Sequence, residues 1–185
     1  MSTTKTTKPT NIRLITEGAI MIALALILSY IQIGFLQYGG SIDFVMIPLI
    51  FYAIRWGLLP GVIAGVAFGT LNFIFANGFA LNWVSLLLDY SVAYGAVGLA
   101  GLFRGKKWGG IYGSLVGGTA RFIVHYISGI TVYAMYAPEG QSPMLYSFLY
   151  NISYMLPNII IAVVVFLLLE KPMGKYLTGK DLKLS

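Results

Sequence analysis

From Gly18 to Leu36 the chain runs without one charged side chain, and long apolar stretches recur after it, separated by short segments that gather nearly all the charge. A helix needs about 20 mostly apolar residues to cross a bilayer. The first run is longer than the apolar core of a secretory signal and no convincing small-residue cleavage site follows it, so it reads as a first membrane helix. Across all 185 residues 58% are hydrophobic and 10% charged, with a mean hydropathy of +0.81. Such a chain has room for about six spans and almost none for a soluble domain.

The positions of the charges then set the topology. Lys5, Lys8 and Arg13 precede the first run; Arg55 follows the second; Arg104, Lys106 and Lys107 follow the fourth; Lys171, Lys175, Lys180 and Lys183 follow the last. Placing these clusters in the cytoplasm, as the positive-inside rule requires, predicts helices over 11–35, 42–56, 58–76, 80–103, 108–135 and 144–170. The three outer connections, "LQYGGS", "ANGFALN" and "YAPEGQSP", contain no Lys or Arg. The expectation is an all-α integral membrane protein of six transmembrane helices with both termini cytoplasmic. It comprises a disordered N-terminus over 1–10, a membrane domain over 11–172 and a basic tail over 173–185. The net charge of +6 is thus a topology signal and not a nucleic-acid footprint.

The second helix is short and is expected to be tilted or partly inserted, with Pro48 able to kink it. Pro60 starts the third helix, and Pro157 is expected to bend the sixth. Gly61, Gly65 and Gly69 form one small-residue face and Gly109, Gly113 and Gly117 another, each suited to close helix approach. Without cysteine there is no disulfide or thiolate metal site, and no nucleotide-binding loop is present. No cofactor or metal is expected, and an ATPase would have to be another chain.

Ionisable groups at membrane depth are costly and face a bundle interior, a partner or a wet cavity. Here they are Glu17, Asp43, Asp89, Arg121 and His125, of which Glu17 and Asp43 could sit at the interfaces. Asp89 and His125 each lie about ten residues below the outer ends of the fourth and fifth helices, roughly 15 Å deep. His125, Gly129 and Tyr133 share one face at i, i+4, i+8, with Arg121 one turn deeper. That stripe is about 12 Å long, close to a two-ring vitamin, and glycine in its middle leaves room for a flat ring. Tyr146 and Asn151 supply a hydroxyl and an amide from the sixth helix, and Tyr150 and Tyr154 add aromatic surface. The set suits a cationic, aromatic, hydrogen-bonding ligand. Arg121 with Asp89 could equally be a structural ion pair, and Tyr30, Tyr38 and Tyr136 read as an interfacial belt. Ala19 and Ala23, one turn apart beside Gly18, offer a smooth face for a partner helix.

The segments "LLLDYSVAYGAVGLAG", "HYISG", "YAPEG" and "LYSFLYNISYMLP", with Ala-x-x-x-Ala on the first helix, resemble the thiamine-specific substrate-binding subunits (S components) of energy-coupling-factor transporters. The resemblance covers Asn11 to Leu169. It implies a six-helix S component that binds thiamine from outside and joins a transmembrane coupling protein and two cytoplasmic ATPases. It implies ligand contacts at Asp89, Tyr90, His125, Gly129, Tyr133, Tyr146 and Asn151, with Phe79 near a family tyrosine and Tyr38 on the lid "LQYGGSID". It also implies partner docking at Ala19 and Ala23. Arg121 would then support the site, pairing with Asp89 or a nearby carbonyl. Some members carry Glu at the place of Asp89 and Trp at that of Tyr133. Two further readings stay open: a stand-alone proton-coupled secondary carrier for a small cationic or aromatic metabolite, and, more weakly, a membrane hydrolase or transferase using His125 as base.

Overall fold

The structure is a computed structural model and describes residues 10–34, 36, 40–75 and 79–182. Among the described residues six helices build it: α1 (Thr10–Ser29), α2 (Met46–Trp56), α3 (Leu58–Phe75), α4 (Trp83–Phe103), α5 (Gly109–Thr131) and α6 (Pro143–Leu177). Among the described residues α1, α3, α4 and α6 are long and apolar enough to cross a membrane. At 23 residues α5 also has the length, but its glycines, serines, Arg121 and His125 lower its hydropathy. The chain is an all-α, six-helix membrane protein.

The expected boundaries that move furthest are the end of the first helix and the end of the last. The first helix ends at Ser29, whose Oγ donates to the Leu26 carbonyl at 2.7 Å. The chain then turns into a short antiparallel ribbon, β1 (Ile33–Gly34) against β2 (Ser41–Ile42), where β-branched Ile31 and Ile33 suit extended backbone better than a helical end. The last helix runs on to Leu177 and passes without interruption through Pro157 and Pro172.

The second helix is the packed centre of the bundle. At 11 residues it is about 17 Å long and cannot span alone, yet Met46, Leu49, Ile50, Ala53 and Ile54 are all buried. Pro48 is the third residue of α2, in the first turn, where a backbone N–H has no intrahelical partner; the sequence-based expectation of a kink there does not hold.

The expected glycine faces both pack on α4. A Cβ at Gly65 or Gly69 would run into the Tyr94 or Tyr90 carbonyl oxygen, and one at Gly117 would approach the Val97 oxygen at 2.7 Å. Glycine here lets helix backbones touch, which lipid-solvated helices need because apolar side chains alone give them little preference for each other. Thus α4 is clamped between α3 and α5, while α5 lies along α6. Arg55, Arg104, Trp108 and Asp181 gather at one end of the bundle: Arg55 bonds Asp181, Trp108 N–H donates to Glu170 at 3.1 Å, and the Arg104 side chain lies over Gly57. This is the basic, inner end, and the opposite end holds a cavity.

Candidate ligand-binding site

α4 is not a uniform α-helix. Asn82 caps it, its side chain accepting from Ser85 N–H at 3.0 Å while the Ser85 hydroxyl accepts from Asn82 N–H at 3.1 Å. Then Leu87–Val92 winds as a π-helix before α-helical Ala93–Val97 and 3-10 Gly98–Phe103. The wide turn carries Asp89 and Tyr90. Such π-turns are rare and frequently mark functional positions.

Asp89 lies six residues below the start of α4 and His125 six below the end of α5. Both are therefore about 9 Å deep, shallower than the sequence-based 15 Å because both helices end sooner, but still level with each other. His125 Nδ1 is 3.1 Å from Asp89 Oδ1, and Ser128 Oγ donates to Asp89 Oδ2 at 3.0 Å. Below them Arg121 Nε donates to His125 Nε2 at 3.2 Å, and Arg121 Nη2 donates to the Tyr94 hydroxyl at 2.9 Å. An arginine nitrogen can only donate, so Nε2 is the acceptor and the His125 proton sits on Nδ1, directed at Asp89. His125 Nδ1 and Ser128 Oγ thus both orient the Asp89 side chain.

The expected pairing of Arg121 with Asp89 does not form. His125 fills the space between them, and the guanidinium lies over the Tyr94 ring, 4.1 Å from its centroid. Asp43, expected at an interface, is 6% exposed. Its Oδ1 accepts from Val45 N–H at 2.9 Å, and its own N–H donates to Asn158 Oδ1 at 2.9 Å.

These groups open onto a cavity of about 220 Å³. Of the residues singled out in the sequence, Phe79, Asp89, Tyr90, Arg121, His125, Gly129, Tyr133, Tyr146 and Asn151 all line it. Tyr38 lies outside the described residues. Tyr90 donates its hydroxyl to the Phe79 carbonyl at 3.2 Å. Tyr133 is not the third rung of a helical stripe: α5 ends at Thr131, and Tyr133 sits in the following turn at φ −99°, ψ 12°. Its ring reaches the cavity beside Phe79 and Tyr136, with centroids 6.4 and 6.1 Å away. Gly129 also serves differently than expected, since the place of its missing Cβ is filled by Ser147 Oγ and not by ligand space. Asn151 is largely committed to the protein, donating to the Ser147 carbonyl at 2.8 Å and accepting from the Tyr154 hydroxyl at 2.7 Å.

Sequence reasoning missed Ser29, Gln32, Asn72 and Ser147 as lining residues and assigned Tyr136 to a surface belt, whereas it faces the cavity. Asn72, a lone amide within the apolar run of α3, and Ser147, one helical turn before Asn151 on α6, carried legible signals; Ser29, Gln32 and Tyr136 depended on the chain turns that follow α1 and α5. Asn72 Oδ1 and Arg121 Nη1 are buried without a hydrogen-bond partner among the described residues, and both residues border the cavity. Ala19 and Ala23 are exposed on α1, whereas Gly18 faces inward against Tyr52 and is not part of that outer face.

Comparisons with known proteins bear on the family and the fold. The chain is 36% identical over 173 residues to the thiamine transporter ThiT of Bacillus subtilis, covering 85% of this chain and 90% of that protein. It is 31% identical over 167 residues to ThiT of Lacticaseibacillus paracasei, covering 82% and 83%. The fold matches a solved structure of ThiT from Listeria monocytogenes with a TM-score of 0.81 at 24% identity, over 90% of this chain and 98% of that one. Residues 15–177 match the family described as thiamine transporter protein, and the chain belongs to that family.

Proposed function

We propose that the protein is the thiamine-binding S component of an energy-coupling-factor uptake system, taking thiamine from the outer side into this cavity. The observation that carries the reading is Asp89, oriented by His125 and Ser128 and opening onto an aromatic cavity in a chain of the thiamine transporter family. Thiazolium is a permanent cation whose charge no proton transfer can remove. It calls for a fixed carboxylate and aromatic faces, which Asp89, Tyr133 and His125 supply. The aminopyrimidine calls for hydrogen bonds, which Asp89, Tyr146 and the remaining Asn151 Oδ1 lone pair offer, with Gly129, Tyr90 and Phe79 as further walls. The hydroxyethyl group can donate to Asn72 Oδ1 or accept from Arg121 Nη1, both buried without hydrogen-bond partners among the described residues.

Arg121 is a support in this reading. By occupying His125 Nε2 it fixes the tautomer that aims Nδ1–H at Asp89, and so keeps the acid turned to the cavity. Energy for uptake would come from a transmembrane coupling protein and two ATPases, with α1 docking through its exposed Ala19 and Ala23 face. Calorimetric titration of the purified protein with thiamine tests the binding claim: saturable one-to-one binding is expected, and none would sink it. Reconstitution alone in liposomes under a proton gradient tests the coupling. Uptake without ATPase partners would favour the secondary-carrier reading.

A further inference from the structure

At the inner end, far from the cavity, charged side chains close on one another. Arg55 is 3% exposed and uses all five of its N–H donors. Nε and Nη2 reach Glu17 at 2.5 and 3.0 Å; Nη1 and Nη2 reach Asp181 at 2.6 and 2.7 Å; Nη1 also donates to the Tyr176 carbonyl at 3.0 Å. Trp56 Nε1 donates to Glu17 at 2.8 Å, and Arg13 bridges Glu17 and Asp181 at 2.7 Å each. The cluster joins the first turns of α1, the end of α2 and the segment after α6. Nothing in thiamine capture uses it.

The helix it holds is the one with least else to hold it. Only 17% of the apolar window of α1 is buried, against 33–44% for α3, α4 and α6. In lipid, an apolar face gains little by packing on another apolar face, so an outlying helix needs specific ties. Beyond the cluster, the inner half of α1 has Gly18 against the Tyr52 ring and the Tyr52 hydroxyl donating to the Leu14 carbonyl at 3.1 Å. Its outer end, through Ser29, borders the cavity.

We infer that Arg55 is a positioning residue that pins the inner half of α1 to the bundle, and that the chain's C-terminal segment, through Asp181, completes the pin. The outward face bearing Ala19 and Ala23 is thereby presented at a fixed angle to the rest of the subunit. The consequence for transport rests on the proposed reading that α1 docks the coupling protein; the structural claim does not.

Because the chain has no cysteine, Ile15→Cys and Leu102→Cys, both at exposed positions, place spin labels on the inner halves of α1 and α4 without background. In the otherwise unaltered protein in nanodiscs the inter-label distance distribution is expected to be narrow. Arg55→Gln and Asp181→Asn are expected to broaden it, Arg55→Lys less so, while thiamine affinity stays unchanged. Uptake with the coupling module is expected to fall about tenfold, in the usual range of coupling between separated sites. If Arg55→Gln does not fold, Asp181→Asn decides, because it leaves the Glu17 pair intact. An unchanged distribution in the folded variants overturns the inference, as does a loss of thiamine affinity in parallel with uptake. Failure of the unaltered protein to support uptake with any coupling module would sink the docking reading, and the spin-label arm would still judge the pin.

Discussion

The molecule buries two arginines at opposite ends and treats them in opposite ways. Arg55, in the inner cluster, has every donor matched and two carboxylates against it. Arg121, near the cavity, is 5% exposed, keeps Nη1 without a hydrogen-bond partner among the described residues and contacts an imidazole, a phenol and a phenol ring face. A buried polar group left unpaired costs about 1–3 kcal/mol, more for a charged one. A fold that can satisfy one arginine fully and leaves the other open has its unspent bonding capacity at the cavity. The inner end is closed on itself and structural, whereas the outer end is completed by what enters it.

The sharpest way to break that contrast is Asp89→Asn, which removes the charge that His125 and Ser128 orient and leaves the shape. Thiamine affinity is expected to fall by about 2–5 kcal/mol, the cost of losing one member of a desolvated charge pair, with the thermal midpoint of the unliganded protein little changed. Calorimetry and a melt in the same detergent would read both; undiminished binding would refute the role of Asp89.

Gly129→Ala is expected to act on packing, since its methyl would meet Ser147 Oγ. Overpacking of this kind costs about 1–3 kcal/mol. It should appear as a lower melting midpoint without thiamine, and the companion change Ser147→Ala should relieve part of it.

A smaller effect probes the open donors and acceptors. Thiamine lacking its hydroxyl is expected to bind the wild type more weakly by about 0.5–1.5 kcal/mol, one hydrogen bond, and Asn72→Leu should shrink that difference. If the two ligands bind equally well to wild type while thiamine itself binds, the hydroxyl does not use this corner.

The smallest effect belongs to the inner cluster near neutral pH. Arg55 and, less strongly, Arg13 hold the Asp181 carboxyl, beyond the end of α6, at about 2, below its ordinary 3.8. A depressed carboxylate contributes stability in full above its unfolded value and loses it as pH falls through the folded one. Melting midpoints of wild type and Asp181→Asn should therefore stay a constant distance apart from about pH 7 to pH 5, and converge only as pH approaches about 2. Convergence already at pH 6 would mean that Asp181 is not held by Arg55.

How much of this was legible depended on the kind of signal. Asp89, His125 and Arg121 stood out because each is costly in an apolar run, and cost at membrane depth points inward whatever the fold. Their partnerships were not legible. That His125 would come between Arg121 and Asp89 follows from the π-turn at Leu87–Val92 and the packing of α4 on α5, which brings His125 Nδ1 to 3.1 Å from Asp89 Oδ1 and which no linear spacing encodes. Tyr133 lines the cavity by another local route than helical periodicity predicted: a turn after Thr131 delivers it. Asp43 and Glu17 looked alike as possible interface acids; one lines the cavity and the other closes the inner cluster.

By itself the sequence determined the solvent the chain folds in, the six-helix class and which ends carry the basic residues. Those follow from the run length of apolar residues and the placement of Lys and Arg, which are properties of segments. Tertiary structure decided that the shortest helix is the core, that Gly129 makes room for Ser147, and which buried arginine is satisfied and which is left open. These depend on the approach of elements far apart in the chain, where a single carbonyl or hydroxyl within 3 Å settles what a residue is for.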